Sequence, residues 1–235
     1  MLSIDAFWKQ VKNLLFPVFC LRCGREGEWL CQFCEPLCPV VPIQRCIFCQ
    51  TIVAHGETCT SCRRRHSLDG LVVRGIYGSW VWRDLIHVWK YRGAKEIGLV
   101  GGRYLCQCLD LLPMTVKDWV VVPIPLARRR ERDRGFNQSE VLAKAVGEFF
   151  QVPVMKFLTR SRETLPQSKL APLERLKNVQ DCFACAGAVS GRKCLLVDDI
   201  ATTGATLDAA AVALKKAGAT SVWGLALARS TPDSW

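Results

Sequence analysis

An apolar run that ends in two adjacent carboxylates and leads into a threonine- and glycine-rich loop most constrains the fold of this chain. Residues 195–206 have the sequence LLVDDIATTGAT. A short apolar run of this kind is typical of a parallel strand that is buried on both faces. Open α/β sheets bind their ligands beyond the carboxyl ends of such strands. We therefore expect a doubly wound, mainly parallel α/β sheet, with Asp198 and Asp199 at its ligand-binding edge.

The loop after the two acids has the composition of a phosphate-binding loop. A glycine lets the backbone approach a ligand closely, and the free N–H groups at the start of the next helix attract anions. Threonine hydroxyls add further donors. The carboxylates repel a phosphate, but they can accept hydrogen bonds from a diol or hold hydrated Mg²⁺. The predicted phosphate-binding residues are Thr202, Thr203, Gly204, Ala205 and Thr206.

This segment resembles the phosphoribosyl pyrophosphate (PRPP) motif of type I phosphoribosyltransferases. The resemblance implies that Asp198 and Asp199 hold the ribose hydroxyls and that the loop holds the 5-phosphate. A plain strand-turn-helix with a polar turn is the alternative interpretation. The motif indicates fold and ligand class and leaves the reaction open, because regulators built on this fold can keep the PRPP loop while doing other work.

Four CxxC pairs in the N-terminal third have the spacing of metal-binding knuckles. They are Cys20/Cys23, Cys31/Cys34, Cys46/Cys49 and Cys59/Cys62. Two intervening residues let both thiolates of a turn reach one metal ion at about 2.3 Å, and two turns complete a tetrahedron. Eight thiolates therefore predict two structural zinc ions. Because spacing does not define connectivity, the first pair can join either the second or the third.

The cysteine content raises the question of the compartment, since 14 of the 235 residues are cysteine. A secreted disulfide protein is one interpretation, but Asp5, Lys9 and Lys12 interrupt the N-terminus, and no apolar run approaches the roughly 18 residues of a membrane span. We therefore expect a reducing, cytoplasmic location. Residues 4–15 have an amphipathic helical pattern that suits packing against the protein or, alternatively, the inner face of the membrane.

The basic residues predict an anionic partner. The formal net charge is +11 at neutral pH, and two zinc sites at a net charge of −2 each would lower it by four. Lys90 and Arg92 end a predicted helix, and Arg134 lies just before Asn137, the predicted cap of another helix. These three cations are candidate contacts for pyrophosphate or a nucleic-acid backbone. The alternative for Lys90 and Arg92 is that the helix dipole favours cations at a helix end.

Apolar periodicity predicts two helices between the cysteine pairs and the acidic motif. One begins after Ser79 and buries a face that includes Trp82 and Trp89, and a second runs from about Glu96 to Leu112. Residues 159–175 lack apolar periodicity, which predicts either a mobile loop that closes over the site or an ordinary solvated loop.

The whole set of motifs resembles the ComF family. The resemblance rests on the cysteine pairs, the KYRG sequence at 90–93, the RGFNQS sequence at 134–139 and the PRPP loop, and it covers nearly the whole chain. It implies a zinc-ribbon-like module at residues 1–67 and a phosphoribosyltransferase-type domain at residues 68–235. It also implies a role in the uptake or use of external DNA (natural competence), with single-stranded DNA, a helicase-like protein and a second copy of the chain as candidate partners.

Three functions are compatible with these features. The first is a ComF-like protein that uses a ribose-phosphate site in DNA uptake. The second is a Mg²⁺-dependent phosphoribosyltransferase that joins PRPP to a nitrogen nucleophile, and the third is a PRPP-sensing scaffold. The sequence shows no pocket for a nucleophile, so it assigns no catalytic residue and leaves open whether the protein is an enzyme.

Overall fold

The structure is a computed structural model. It describes residues 17–41, 43–92, 95–108, 111–112, 115–160 and 182–230. The amphipathic pattern at residues 4–15 lies outside the described residues, as does the predicted loop beyond Arg160.

A four-stranded parallel sheet forms the centre of the fold, with the strand order β1-β6-β5-β2. A short antiparallel pair, β3 and β4, lies beside it. The strands are β1 (Gly70–Ile76), β2 (Trp119–Pro123), β3 (Leu158–Arg160), β4 (Phe183–Cys185), β5 (Lys193–Ala201) and β6 (Ser221–Arg229). The apolar run before the two acids is therefore a strand, as the sequence predicts, and it lies between two parallel neighbours.

Helices cover both faces of this sheet, which confirms the doubly wound α/β class. They are α1 (Thr60–Arg63), α2 (Trp80–Arg92), α3 (Lys95–Cys106), α4 (Arg128–Arg134), α5 (Gln138–Phe150) and α6 (Ala205–Lys216). The predicted helix from Glu96 to Leu112 is shorter than expected. It ends at Cys106 because the chain tightens there into a turn in which the Cys108 amide donates to Leu105 O at 3.0 Å.

The two faces of β5 supply two hydrophobic cores, because successive strand residues point in opposite directions. Leu195 and Val197 pack with the α2, α3 and α5 side, where Trp82 and Trp89 are fully buried as predicted. Leu196 packs on the other face with the alanine-rich side of α6. Burial of the strand on both faces explains why its sequence is a continuous apolar run.

The cysteine-rich N-terminal segment packs against the α/β sheet. The indole nitrogen of Trp82 donates to Pro39 O at 2.9 Å, and the side chain of Gln44 exchanges hydrogen bonds of 3.4 Å with the backbone of Val73 in β1. Cys38 lies 3.7 Å from the Tyr104 hydroxyl in the same core. Residues on both sides of the expected boundary at 67/68 therefore share a core, and the boundary itself stays a prediction.

Candidate functional site

The two adjacent acids lie where β5 extends past its shorter neighbour. Pro123 is the last residue of β2 and pairs with Val197, whereas β5 continues beside β6 to Ala201. Asp198 and Asp199 therefore occupy the carboxyl-terminal edge of the sheet, with one side of their strand no longer covered by β2. Such an edge is the usual ligand-binding position in open α/β sheets.

Asp198 is held by Ser139, near the start of α5. Its Oδ1 accepts a hydrogen bond of 2.9 Å from the Ser139 hydroxyl and another of 2.9 Å from the Asp199 amide. Burial, together with the negative charge of Asp199, raises the pKa of Asp198 to about 7. This carboxyl group is therefore poised to gain or lose a proton near neutral pH.

Asp199 is held by a lysine of α2. The Lys90 ammonium lies 2.6 Å from Asp199 Oδ2, and the two side chains are only 18% and 14% exposed. Burial acts to raise the pKa of Asp199, but the positive charge of Lys90 outweighs it, and the pKa lies below its usual value. The pKa values of the two acids are thus shifted in opposite directions, and the acid with the lowered pKa is already paired with Lys90.

The loop after β5 connects the acids to the amino end of α6. Gly204 adopts a φ of +78° as the residue before the helix, a left-handed conformation that favours glycine. The Ala205 amide donates to the Thr203 hydroxyl at 3.4 Å, and the first helical hydrogen bond runs from the Asp208 amide to Gly204 O at 2.8 Å. The N–H groups in the first turn of α6 therefore point toward the loop. An anion-binding site requires this arrangement.

The four CxxC pairs come together as two separate groups of four sulfur atoms. Within each group all sulfur atoms lie within 4.8 Å of one another. Tetrahedral zinc with bonds of about 2.3 Å needs sulfur atoms roughly 3.8 Å apart, and the Sγ atoms of Cys23 and Cys31 are 3.6 Å apart while those of Cys49 and Cys59 are 3.4 Å apart. All fourteen cysteines are free thiols, and both groups fit a four-coordinate metal ion.

These contacts decide the pairing that the sequence leaves open. The first cysteine group consists of Cys20, Cys23, Cys31 and Cys34, and the second cysteine group consists of Cys46, Cys49, Cys59 and Cys62. The first pair therefore joins the second, and the third joins the fourth. Cys38 lies outside both groups, and its sulfur is near the Tyr104 hydroxyl instead.

Comparisons with known proteins agree with this architecture. A family model described as a phosphoribosyl transferase domain matches residues 139–230. Competence protein F of Haemophilus influenzae is 32% identical over 233 residues, which cover 94% of this chain and 88% of that protein. The chain belongs to the ComF family.

Two further relatives extend the comparison of this ComF-family chain. Competence protein ComFC of Bacillus subtilis is 29% identical over 216 residues, which cover 88% of this chain and 86% of the relative. The DNA utilization protein YhgH of Escherichia coli K12 is 34% identical over 144 residues, which cover 59% of this chain and 63% of the relative.

The other candidate cations of the ComF-family chain lie in two helices. Arg134 is the last residue of α4; its guanidinium donates to Gln138 Oε1 at 3.1 Å, and its charge helps to lower the pKa of Asp199. Arg92 is the last residue of α2, two residues after Lys90, and its side chain lies outside what the structure describes. The structure thus brings Lys90 into direct contact with Asp199 and places Arg134 close enough to act on the same carboxylate electrostatically.

Sequence reasoning missed the roles of three residues at this site. Ser139 donates to Asp198, and a signal existed, because it follows the helix cap Asn137, whose Oδ1 accepts from the Ser139 amide at 3.1 Å. Ile47 and Phe48, inside the third CxxC pair, contact the loop at Gly204. No local pattern marks that contact, because the residues that meet there are far apart along the chain.

Proposed function

We propose that this ComF-family protein binds a ribose 5-phosphate group, with PRPP as the representative ligand, and uses this site in the uptake or use of external DNA. The observation that carries the proposal is the position of Asp198 and Asp199 at the sheet edge, directly before the 202–206 loop and the amino end of α6. Acceptors for a diol and donors for a phosphate are thereby placed side by side.

Each part of the site has a distinct task in this proposal. The carboxylates of Asp198 and Asp199 accept hydrogen bonds from the ribose hydroxyls, and the loop residues Thr202, Thr203, Gly204, Ala205 and Thr206 hold the 5-phosphate. Lys90 keeps Asp199 ionised at 2.6 Å and, with Arg92 and Arg134, provides positive charge for further phosphate groups. Mg²⁺ bound with PRPP, near the same acids, would neutralise pyrophosphate charge.

We assign zinc to both cysteine groups. Four thiolates at tetrahedral spacing are a typical structural zinc site, whereas magnesium and calcium prefer oxygen ligands. No position is left for a water or substrate ligand, so these metals stabilise the fold of the cysteine-rich segment and take no part in chemistry.

Single-stranded DNA is the partner we propose, in the cytoplasm. The relatives are named as competence and DNA utilization proteins, and the chain has a net charge of +11. Helix α4 has the basic sequence RRRERDR, and its last residue, Arg134, acts electrostatically on Asp199. Within the described residues no helix is both long and apolar enough to cross a bilayer. The helicase-like partner and the homodimer stay predictions.

Titration calorimetry with PRPP and Mg²⁺ tests the ligand. Asp198→Asn/Asp199→Asn keeps the side-chain size and removes both carboxylates. We expect an affinity loss of at least about 100-fold, since hydrogen bonds to charged groups contribute about 1.5–3 kcal/mol each. Asp84→Asn, an aspartate with a side chain 41% exposed, serves as the matched control. Failure of the wild-type protein to bind PRPP would refute the proposal.

A salt series with single-stranded DNA tests the partner. Contacts between basic side chains and phosphates release counterions, so we expect affinity to fall steeply with salt concentration. DNA binding that does not change with salt would contradict an electrostatic partner surface.

Phosphoribosyl transfer is the second candidate function. The two acids at the sheet edge, with Lys90 and Arg134 near them, are suited to hold PRPP. In the transfer reaction a nitrogen nucleophile attacks C1 of the ribose and pyrophosphate leaves. Release of pyrophosphate from PRPP on addition of a nitrogenous base would support it, and binding of PRPP without turnover would favour the non-enzymatic role.

A further inference from the structure

The second cysteine group lies directly against the 202–206 loop. A β-carbon at Gly204 would lie 2.9 Å from Ile47 Cγ1 and 3.1 Å from Phe48 Cε1. Ile47 is only 3% exposed, and both residues lie between two metal-binding cysteines, Cys46 and Cys49. The loop therefore packs on a cysteine knuckle, and the absence of a side chain at Gly204 allows the approach.

A second chain of contacts links the same knuckle to the first turn of α6. The Phe48 ring stacks on the His66 ring, with centroids 3.5 Å apart and planes 6° apart. His66 Nδ1 in turn lies 2.7 Å from Asp208 Oδ2. The other oxygen of Asp208 accepts the amides of Ser67 and Leu68 at 2.7 and 3.0 Å. The chain that follows Cys62 is thus joined to the helix whose amino end completes the loop.

The first cysteine group makes contacts of a different kind. Its buried cysteines share a core with α2 and α3, through residues such as Trp82 and Tyr104. Phe33 occupies the same place in its knuckle as Phe48 does in the other, but it is 58% exposed and is covered by Arg25, whose guanidinium carbon lies 4.4 Å from the ring centroid. The two groups are therefore similar in sequence and different in what they support.

We propose that the metal bound by the second cysteine group controls the phosphate loop, so that this metal and a phosphorylated ligand strengthen each other's binding. The inference rests on the proposed function for the identity of the ligand. Bound metal joins the turn at Cys46–Cys49 to the turn at Cys59–Cys62, and this link keeps Ile47 and Phe48 against Gly204. The energy of metal binding at such a site is also what stabilises its folded turns. Without metal the two turns separate, and the 202–206 loop loses the contact with Ile47 and Phe48.

Reciprocity follows from thermodynamic linkage. If the metal raises the affinity for the ligand by some factor, the ligand raises the affinity for the metal by the same factor. The effect is specific to the second group, since the first group packs against α2 and α3. Because Cys49 is exposed and Cys59 is partly exposed, a chelator can compete for this metal in the folded protein.

A matched pair of knuckle variants tests the contact while leaving all eight cysteines in place. We expect Phe48→Ala to keep two zinc ions per chain and to lower PRPP affinity by about tenfold, within the range of typical coupling energies. Phe33→Ala, the same substitution in the other knuckle, should change the affinity less than about twofold. Equal effects of the two variants, or no effect of Phe48→Ala, would overturn the proposal.

Competition with a chelator tests reciprocity. In the wild-type protein, saturating PRPP should raise the zinc affinity of the second cysteine group. The factor should equal the one by which zinc at that group raises the affinity for PRPP. In Phe48→Ala the shift should shrink to less than about twofold. An unchanged shift in the variant would contradict the assigned route.

Hydrogen exchange without ligand separates this inference from the proposed function. We expect Cys49→Ser, which removes one metal ligand, to speed exchange of the amides of residues 203–208 by about tenfold or more. The core strand β5, at residues 194–197, should stay protected and so report an intact fold. If the wild-type protein binds no PRPP, the proposed function fails, but hydrogen exchange still tests the coupling between the metal and the loop. Unchanged exchange of residues 203–208 in Cys49→Ser would overturn that coupling.

Discussion

The Lys90 ammonium contacts Asp199 Oδ2 at 2.6 Å, from a helix on one face of the sheet to the edge of a central strand. Both side chains are mostly buried, so the Lys90 ammonium takes the place of the water molecules that would hydrate an exposed carboxylate. The Ser139 hydroxyl donates to Asp198 at 2.9 Å. The acid pair is thus fixed in place before any ligand arrives, and one of its members is kept ionised.

Removing Lys90 should destabilise the folded protein. Lys90→Met leaves Asp199 buried and unpaired, which costs about 3 kcal/mol in comparable cases. The favourable contribution of the pair is present above the unfolded pKa of an aspartate and is lost as pH falls through the lower pKa of Asp199 in the folded state. Urea unfolding at pH 7.5 and at low pH measures this change, and the difference from wild type should shrink in acid.

Lys156→Met is the matched control for that experiment. Lys156 pairs with Glu140 at 2.7 Å, but its side chain is 65% exposed, and surface pairs contribute little to stability. A loss of stability in Lys156→Met as large as that in Lys90→Met would show that burial of the Lys90 pair is not the cause.

Ligand binding should strengthen as pH rises through neutrality. The pKa of Asp198 is about 7 in the free protein, and its ionised form is the better acceptor for ribose hydroxyls. We expect PRPP affinity to increase between about pH 6 and pH 8, measured by calorimetry in buffers of different ionisation enthalpy so that proton release is counted. Asp198→Asn should abolish the proton release, and its persistence would assign the titration to another group.

The same carboxyl group should weaken the ligand-free fold at alkaline pH. Between the ordinary pKa of aspartate and about 7, the folded protein keeps a proton on Asp198 that the unfolded chain has released. The free energy of unfolding therefore falls as pH rises through that window. We expect Asp198→Asn to raise the melting temperature at pH 8 relative to wild type and to have a smaller effect at pH 5.

Gly204 should be sensitive for two separate reasons. Its φ of +78° disfavours any side chain, and a β-carbon would meet Ile47 at 2.9 Å. Gly191 has a similar φ of +74° with nothing within 4 Å of the same position. Gly191→Ala therefore measures the conformational cost, about 1 kcal/mol, and Gly204→Ala should cost more in thermal unfolding and also reduce PRPP affinity.

Metal content should follow the two cysteine groups. We expect two zinc ions per chain by elemental analysis, one ion after Cys34→Ser, and two after Cys38→Ser, because Cys38 is buried beside Tyr104 outside both groups. Removal of both metals should lower the melting temperature, since closed thiolate sites contribute directly to folding. Loss of a metal in Cys38→Ser would contradict the assigned ligands.

Local order along the chain was readable from the sequence alone. The run at residues 195–206 predicted a buried strand, two acids at its end and a loop into a helix, because strand burial and helix starts depend on neighbouring residues. The CxxC spacing predicted eight metal ligands for the same reason. The predicted helix that extended to Leu112 was too long, since propensity does not show where tertiary packing ends a helix.

Only the tertiary structure decided which of these local pieces meet. It paired the cysteines in sequential order, brought Ser139 to Asp198 and Lys90 to Asp199, and packed Phe48 against Gly204. Each of these contacts joins segments that are separated along the chain. Their geometry is set by the order of parallel strands and by the helices that cross between them. The sequence by itself therefore determined the chemical groups of the site and their local order, whereas packing determined their partners.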